Sequence, residues 1–239
     1  MERKNQNGIK TWPISDHPRE KACRFGVEKL SDAELLAVIL RQGIRGKDAV
    51  VLSRELLTQF GGLRKLLASD WPSLERIRGL GPAKITALLA VNELARRQLK
   101  EKIFNCQVIR DPETVVEFLY ASFQGKVREI FKCLFLDRAN RLIEERDLFQ
   151  GTVDQSVVHP REVVKAALDC HATSVILVHN HPSGRVEPSV EDKEVTRKLQ
   201  LACQTVSVEI LDHLIIGEGQ YFSFREHQLL GCERISQRG

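Results

Sequence analysis

Apolar positions in the first part of the chain recur at helical spacing, whereas those beyond about residue 125 gather into short strand-like runs. Ser31-Asp32-Ala33-Glu34 stands before the run Leu35, Leu36, Val38, Ile39, Leu40. That is a capping-box signature, in which the serine hydroxyl and the glutamate side chain satisfy backbone N–H groups that a helix start leaves without partners. Gly43 and Gly46 end the helix. The pattern predicts further helices over 47–60, over 63–68, around 73–77, and from Pro82 to about residue 100. Pro82 suits the first helical position because its missing N–H costs nothing there. The break at Gly79-Leu80-Gly81 separates the last two.

From 101 to 110 the pattern lapses, which predicts a helical domain over 1–101, a linker over 102–110 and a second domain over 111–232. Asp111-Pro112 opens a helix by cap-plus-proline logic. After Gly125 the period becomes that of strands: residues 130–136, a polar turn Asp137-Arg138-Ala139-Asn140, then 141–149, a hairpin. His159-Pro160 introduces a helix over 161–170. Ser174-Val175-Ile176-Leu177-Val178 is a continuous apolar run, the mark of a strand buried on both faces. A helix over 189–203 leads to strands over 206–211 and 214–216, and Gly217-Glu218-Gly219 turns the chain into a last strand over 221–224. Helices on both sides of a mixed sheet are the expected architecture.

Composition narrows the class without changing this picture. A chain of 239 residues accommodates two small domains. With 42% hydrophobic and 28% charged residues and no repeat, disordered and fibrous architectures are excluded. The longest uncharged apolar runs, such as 173–178, fall far short of the ~20 residues a membrane helix needs. Together with the polar start MERKNQNGIK, they give the expectation of a cytoplasmic chain with no membrane partner and no secretory signal. The cysteines at 23, 106, 133, 170, 203 and 232 form neither a disulfide framework nor a Cys-x-x-Cys knuckle and read as reduced thiols. Charge does change the picture: residues 1–102 hold 20 Lys+Arg against 12 Asp+Glu, and the remainder 16 against 20. A basic module is joined to a more acidic one, so nucleic acid is a candidate partner of the first. An ordinary solvated helical surface is the alternative.

The densest chemistry is His179-Asn180-His181-Pro182-Ser183-Gly184, followed by Ser189-Val190-Glu191-Asp192. His179 lies at the carboxyl end of the buried strand, where ligand sites of open α/β sheets form. Residues two apart in an extended segment project the same way, so His179 and His181 can aim both imidazoles at one point. Asp192, in the first turn of the next helix, can fold back onto it. Two imidazoles and one carboxylate make a catalytic-type zinc site with the fourth position left for water. Singly, each part has a structural reading: a His-x-His pair can be two polar loop residues, and Ser189 with Asp192 is a capping-box pattern without any metal. Their conjunction has no packing rationale.

His179-x-His181, seven residues, Ser189, two more and Asp192 resemble the JAMM motif of the MPN metallopeptidase superfamily. The flanking HNHPSG, GTVDQSVVHPREVVKAAL and LDHLIIG, with DHPREKACRFGVEKLSDAELLAVILRQG near the start, resemble the bacterial RadC family, also known as UPF0758. The resemblance implies an α/β three-layer C-terminal domain of the cytidine-deaminase-like type. It further implies Zn2+ held by His179, His181 and Asp192, with Ser189 stabilising the tetrahedral intermediate. A glutamate on an early strand would work with the metal-activated water. Glu129, just before the first core strand, matches that position, with Glu144 and Glu145 as alternatives. Zinc deaminases on the same fold use His-x-Glu and Pro-Cys-x-x-Cys, which this chain lacks. Asp212-His213 reads instead as a strand pair pointing to opposite faces, with a buried, hydrogen-bonded histidine.

In the first half, Leu74-x-x-Ile77-x-Gly79-Leu80-Gly81-x-x-Lys84 resembles a helix-hairpin-helix element. Gly79 and Gly81 would let turn N–H groups face a phosphate, with Lys84 as a point charge. Ile85 stands where a small residue is usual, which leaves a protein-docking helical domain as the alternative. The expectation is therefore a zinc-dependent peptidase or isopeptidase whose N-terminal all-α domain binds DNA without sequence preference. A non-catalytic, DNA-repair-associated scaffold with a structural or vestigial metal site is the alternative.

Overall fold

The computed structural model describes residues 13–104, 108, 112–150 and 158–231. The chain divides into two compact units between Ala95 and Arg96, inside a single long helix. The first unit holds α1 (Pro18–Phe25), α2 (Asp32–Leu40), α3 (Ala49–Phe60), α4 (Leu63–Leu67), α5 (Trp71–Glu75) and the start of α6 (Pro82–Phe104). The Ser31 capping box is formed: Glu34 N donates to the Ser31 hydroxyl and Ser31 N to the Glu34 carboxylate. Asp48 caps α3 through the N–H groups of Val50 and Val51. Leu36, Leu52, Leu56, Leu66, Leu74 and Ile85 meet in its core.

The second unit contains α7 (Pro112–Phe123), β1 (Ile130–Leu136), β2 (Leu142–Gln150), α8 (Pro160–Asp169), β3 (Ser174–Asn180), α9 (Val190–Thr205), β4 (Glu209–Ile216) and β5 (Tyr221–Ser223). The sheet order is β2-β1-β3-β4-β5, antiparallel except for the parallel pair β3 and β4 joined through α9. A parallel pair needs such a crossover helix. One sheet face packs on α7 and the end of α6 through Leu134, Val178, Phe118 and Ile103. The other packs on α8 and α9 through Phe135, Leu177, Val163 and Leu199. β3 is therefore buried along its whole length.

Two sequence expectations need correction. Helix α6 does not lapse at 101 but continues to Phe104, because Ile103 is fully buried against the sheet and Leu99 and Phe104 pack beside it. Tertiary burial decides this end of the helix, which no local signal marks. The strands expected over 206–211 and 214–216 are one strand, β4, which starts only at Glu209, after a turn at Val206 and Ser207 with Ser207 at φ 58°. A register shift opposite Val175 and Ile176 absorbs Leu211 and carries the ladder through Asp212 and His213. The cap assigned to Asp111 and linker residues 105–107, 109 and 110 lie outside the described residues; Val108 is buried and donates its N–H to Asn140 O. Among the described cysteines, Cys23, Cys133, Cys170 and Cys203 are free thiols. No helix among the described residues is long and apolar enough to cross a membrane.

Candidate metal centre

The site forms where β3 ends and α9 begins. Ligand atoms of Glu129, His179, His181 and Asp192 all lie within 4.8 Å of one another. His179 Nε2 stands 3.0 Å from His181 Nε2 and 3.2 Å from Asp192 Oδ1, and His181 Nε2 stands 3.6 Å from Asp192 Oδ2. Tetrahedral coordination at ~2.0–2.1 Å spaces ligand atoms roughly 3.3 Å apart, so the three side chains fit one metal ion.

Each ligand is held from behind. The two oxygens of Asp192 divide the work: Oδ2 accepts from Ser189 N at 2.8 Å and from the Ser189 hydroxyl at 2.7 Å, closing the capping box of α9, while Oδ1 faces His179. The structural and the metal readings of Ser189 and Asp192 thus coexist in one arrangement. Burial pushes the Asp192 carboxyl up, but its hydrogen bonds to His179 and His181 outweigh that and hold it far below the ordinary carboxylate range. His181 N donates to Ile216 O, extending the ladder, and its Nδ1 lies 2.8 Å from Arg185 O. A carbonyl only accepts, so His181 carries a proton on Nδ1 and turns Nε2 to the cluster. The hydrogen bond with Asp192 raises the His181 pKa above its ordinary value.

His179 Nδ1 lies 2.8 Å from His213 Nε2, and His213 Nδ1 lies 2.6 Å from Thr196 Oγ1. His213 is fully buried, with Phe224 stacked on it at 4.7 Å and Phe131 edge-on at 5.7 Å. Burial pushes its pKa well below the ordinary value. Asn180 serves Glu129 instead: its Oδ1 accepts from Ile130 N at 2.8 Å and its Nδ2 donates to Arg128 O at 3.1 Å, which clamps the backbone on both sides of that glutamate. Glu144 and Glu145 are engaged elsewhere. Glu144 pairs with Arg146, and Glu145 pairs with Lys100 and Lys132 opposite the middle of β1, away from the strand end.

In the first unit, Gly79 and Gly81 lie in the turn between α5 and α6, and Lys84 lies in the first turn of α6. The Lys84 ammonium donates to Gly43 O and Gly79 O, both at 3.0 Å, and burial lowers its pKa. The charge expected to meet a phosphate is thus turned onto two carbonyls of its own unit. Ile85 fills the core there, so the bulky residue at the small position is a packing residue.

Comparison with known proteins agrees with this division. A family model for a RadC-like JAB domain matches residues 109–229, and one for the UPF0758 N-terminal region matches residues 9–86. The chain is 46% identical over 219 residues to a UPF0758 protein of Pseudomonas fluorescens, covering 92% of this chain and 98% of that protein. The chain belongs to the UPF0758 family. UPF0758 proteins of Nitrosococcus oceani and Pasteurella multocida are 47% and 44% identical to it, covering 93% and 94% of this chain and 99% and 100% of theirs. The RadC-like JAB match relates this UPF0758 chain to metal-dependent hydrolases, in keeping with a cluster of donors suited to a metal ion. Sequence reasoning overlooked Thr196, Asn180 and the Arg185 carbonyl as supports of the UPF0758 cluster. For Asn180 a signal existed, since a residue between two histidines on one strand cannot share their direction.

Proposed function

We propose that the C-terminal unit is a zinc-dependent hydrolase of amide bonds, a peptidase or isopeptidase of the JAMM type. The same reading assigns its three layers to the cytidine-deaminase-like type. One observation carries it: two imidazoles and a carboxylate converge beside a second carboxylate, Glu129, and the cluster offers no histidine or cysteine as a fourth ligand among the described residues. A closed structural site needs four protein ligands; we read Glu129 as the base beside three ligands, which leaves the fourth position to water and substrate. Zinc in this place would bring water to a pKa near ~7 and polarise the scissile carbonyl. Glu129, held by the Asn180 clamp, takes the proton from the attacking water and delivers it to the leaving amine. Ser189 gives its single hydroxyl proton to Asp192 Oδ2, so we assign it to orienting that ligand rather than to the tetrahedral intermediate.

Metal analysis of the purified chain beside two variants tests this reading. The chain and Glu129→Gln are expected to hold about one zinc each, Asp192→Ala none, and Glu129→Gln to lose hydrolysis of any amide that the parent cleaves. Full zinc occupancy in Asp192→Ala overturns the ligand set. Zinc without Glu129-dependent hydrolysis favours the scaffold reading.

The N-terminal unit supports an association with DNA through its charge. Arg76 and Arg78 are exposed on the turn that carries Gly79 and Gly81. Binding to backbone phosphates would be alike for duplexes of unrelated sequence and would weaken steeply with salt as counterions are released. Absence of duplex binding by the full chain at low salt overturns this part alone.

A further inference from the structure

We propose that Thr196 and His213 are positioning residues that fix the proton of His179 on Nδ1, leaving Nε2 as a bare lone pair aimed at the metal position. The inference rests on reading the cluster as a metal site, and it follows from counting protons along one chain of contacts. Thr196 Oγ1 lies 2.6 Å from Asp192 O, one helical turn earlier in α9. A carbonyl oxygen has nothing to donate, so the only proton of the Thr196 hydroxyl goes there. Toward His213 the same oxygen can only accept, and at 2.6 Å its partner Nδ1 must carry a hydrogen. With its single ring proton on Nδ1, His213 presents a bare Nε2, which accepts from His179 Nδ1 at 2.8 Å. A ring whose one proton sits on Nδ1 has a bare Nε2, and that is the form of His179 able to ligate a metal.

The chain begins on the backbone of one ligand, Asp192, and ends on the ring of another, His179, whose Nε2 returns to within 3.2 Å of Asp192 Oδ1. Thr196, His213 and His179 are all buried, which shields these contacts from competition by bulk solvent. With Arg185 O fixing His181 in the same sense, both Nε2 lone pairs and the Asp192 carboxylate converge with no ring proton between them. A metal ion at that point would meet all three donors at once. The opposite tautomer of His179 would put a proton where the metal belongs, and binding would first have to displace it.

The test reads the tautomer directly. Long-range 1H–15N spectra of the metal-free chain at mildly alkaline pH are expected to show His179 and His213 protonated on Nδ1 and not on Nε2. Thr196→Val removes the acceptor, freeing His213 to place its proton on Nε2 and forcing that of His179 onto its own Nε2. Zinc affinity, measured by competition with a fluorescent chelator, is then expected to fall about 10–100-fold. Thr196→Ser keeps the hydroxyl and is expected to restore both the spectrum and the affinity. A His179 proton on Nε2 in the unsubstituted chain overturns the proposal without any variant. So does a Thr196→Val protein that keeps both the tautomer and the affinity of the parent. Should the unsubstituted chain bind no zinc, the metal reading fails while the spectrum still decides the tautomer.

Discussion

Asn180 sits between two ring ligands and takes no part in their cluster, and its neighbours show why. Its amide replaces the next rung of the sheet ladder, accepting from Ile130 N and donating to Arg128 O, so the residue between those two, Glu129, is delivered to the imidazoles. Asn180→Ala leaves the buried Ile130 N–H without an acceptor, at a cost on the order of 1–3 kcal/mol. Urea denaturation of the metal-free protein should register that loss. Zinc stoichiometry should stay near one, because Arg185 O and His213 hold the imidazoles independently. A variant as stable as the parent would show that the clamp contributes nothing. At this scale the direction of His179 and His181 was legible from strand alternation, and Asp192 from its place in a capping box. The Thr196 to His213 contact was not, since it depends on how α9 lies over β4, a tertiary relation that neither segment encodes alone.

At the level of elements, two close approaches decide whether particular turns can form, one beside the sheet and one in the first unit. The turn after β4 passes under the loop after His181: a Cβ on Gly217 would meet Gly184 O at 2.3 Å and Val186 Cγ1 at 2.6 Å. Gly217→Ala must push that loop outward, carrying Arg185 O away from His181 Nδ1. Destabilisation of about 1–3 kcal/mol is expected, together with weaker zinc retention under dialysis; unchanged retention would separate the loop from the ligand. In the first unit the two glycines of the hairpin part company. Gly79 has φ 102°, and a Cβ there would meet Ile44 Cγ2 at 2.6 Å, whereas a Cβ on Gly81 meets nothing within 4 Å. Gly79→Ala is expected to lower the melting temperature and Gly81→Ala to leave it unchanged or raise it slightly. Equal effects would contradict this account of the turn. Most helices were legible because caps, prolines and glycines mark their ends locally. β4 read as two strands because Asp212 and His213 interrupt its apolar pattern, and what keeps them in the ladder is the register shift at Leu211 and the burial of His213.

Across the whole molecule, what matters is where the second unit begins. Composition and periodicity pointed to a boundary near 102–110, yet Leu99, Ile103, Phe104 and Val108 belong to the core on one face of the sheet, and Lys100 reaches Glu145 at 2.8 Å. A fragment starting at residue 111 loses all of these, while one starting at 96 keeps them. Complete burial of Ile103 alone is worth about 1.5–3 kcal/mol, so the longer fragment is expected to unfold at clearly higher urea. Glu145 adds a dependence on pH. Burial pushes its carboxyl up, but Lys100 and Lys132 more than offset this and hold its pKa below the ordinary 4.5. A carboxyl whose pKa is lowered on folding stabilises above its unfolded pKa, and that contribution fades as pH falls through the lowered value. The Lys100 share of the advantage is therefore expected in full at neutral pH and to shrink below about pH 4.5, while the apolar share persists. Equal urea midpoints for the two fragments at pH 7 would mean that the end of α6 adds nothing to the second unit, and the sequence boundary would stand.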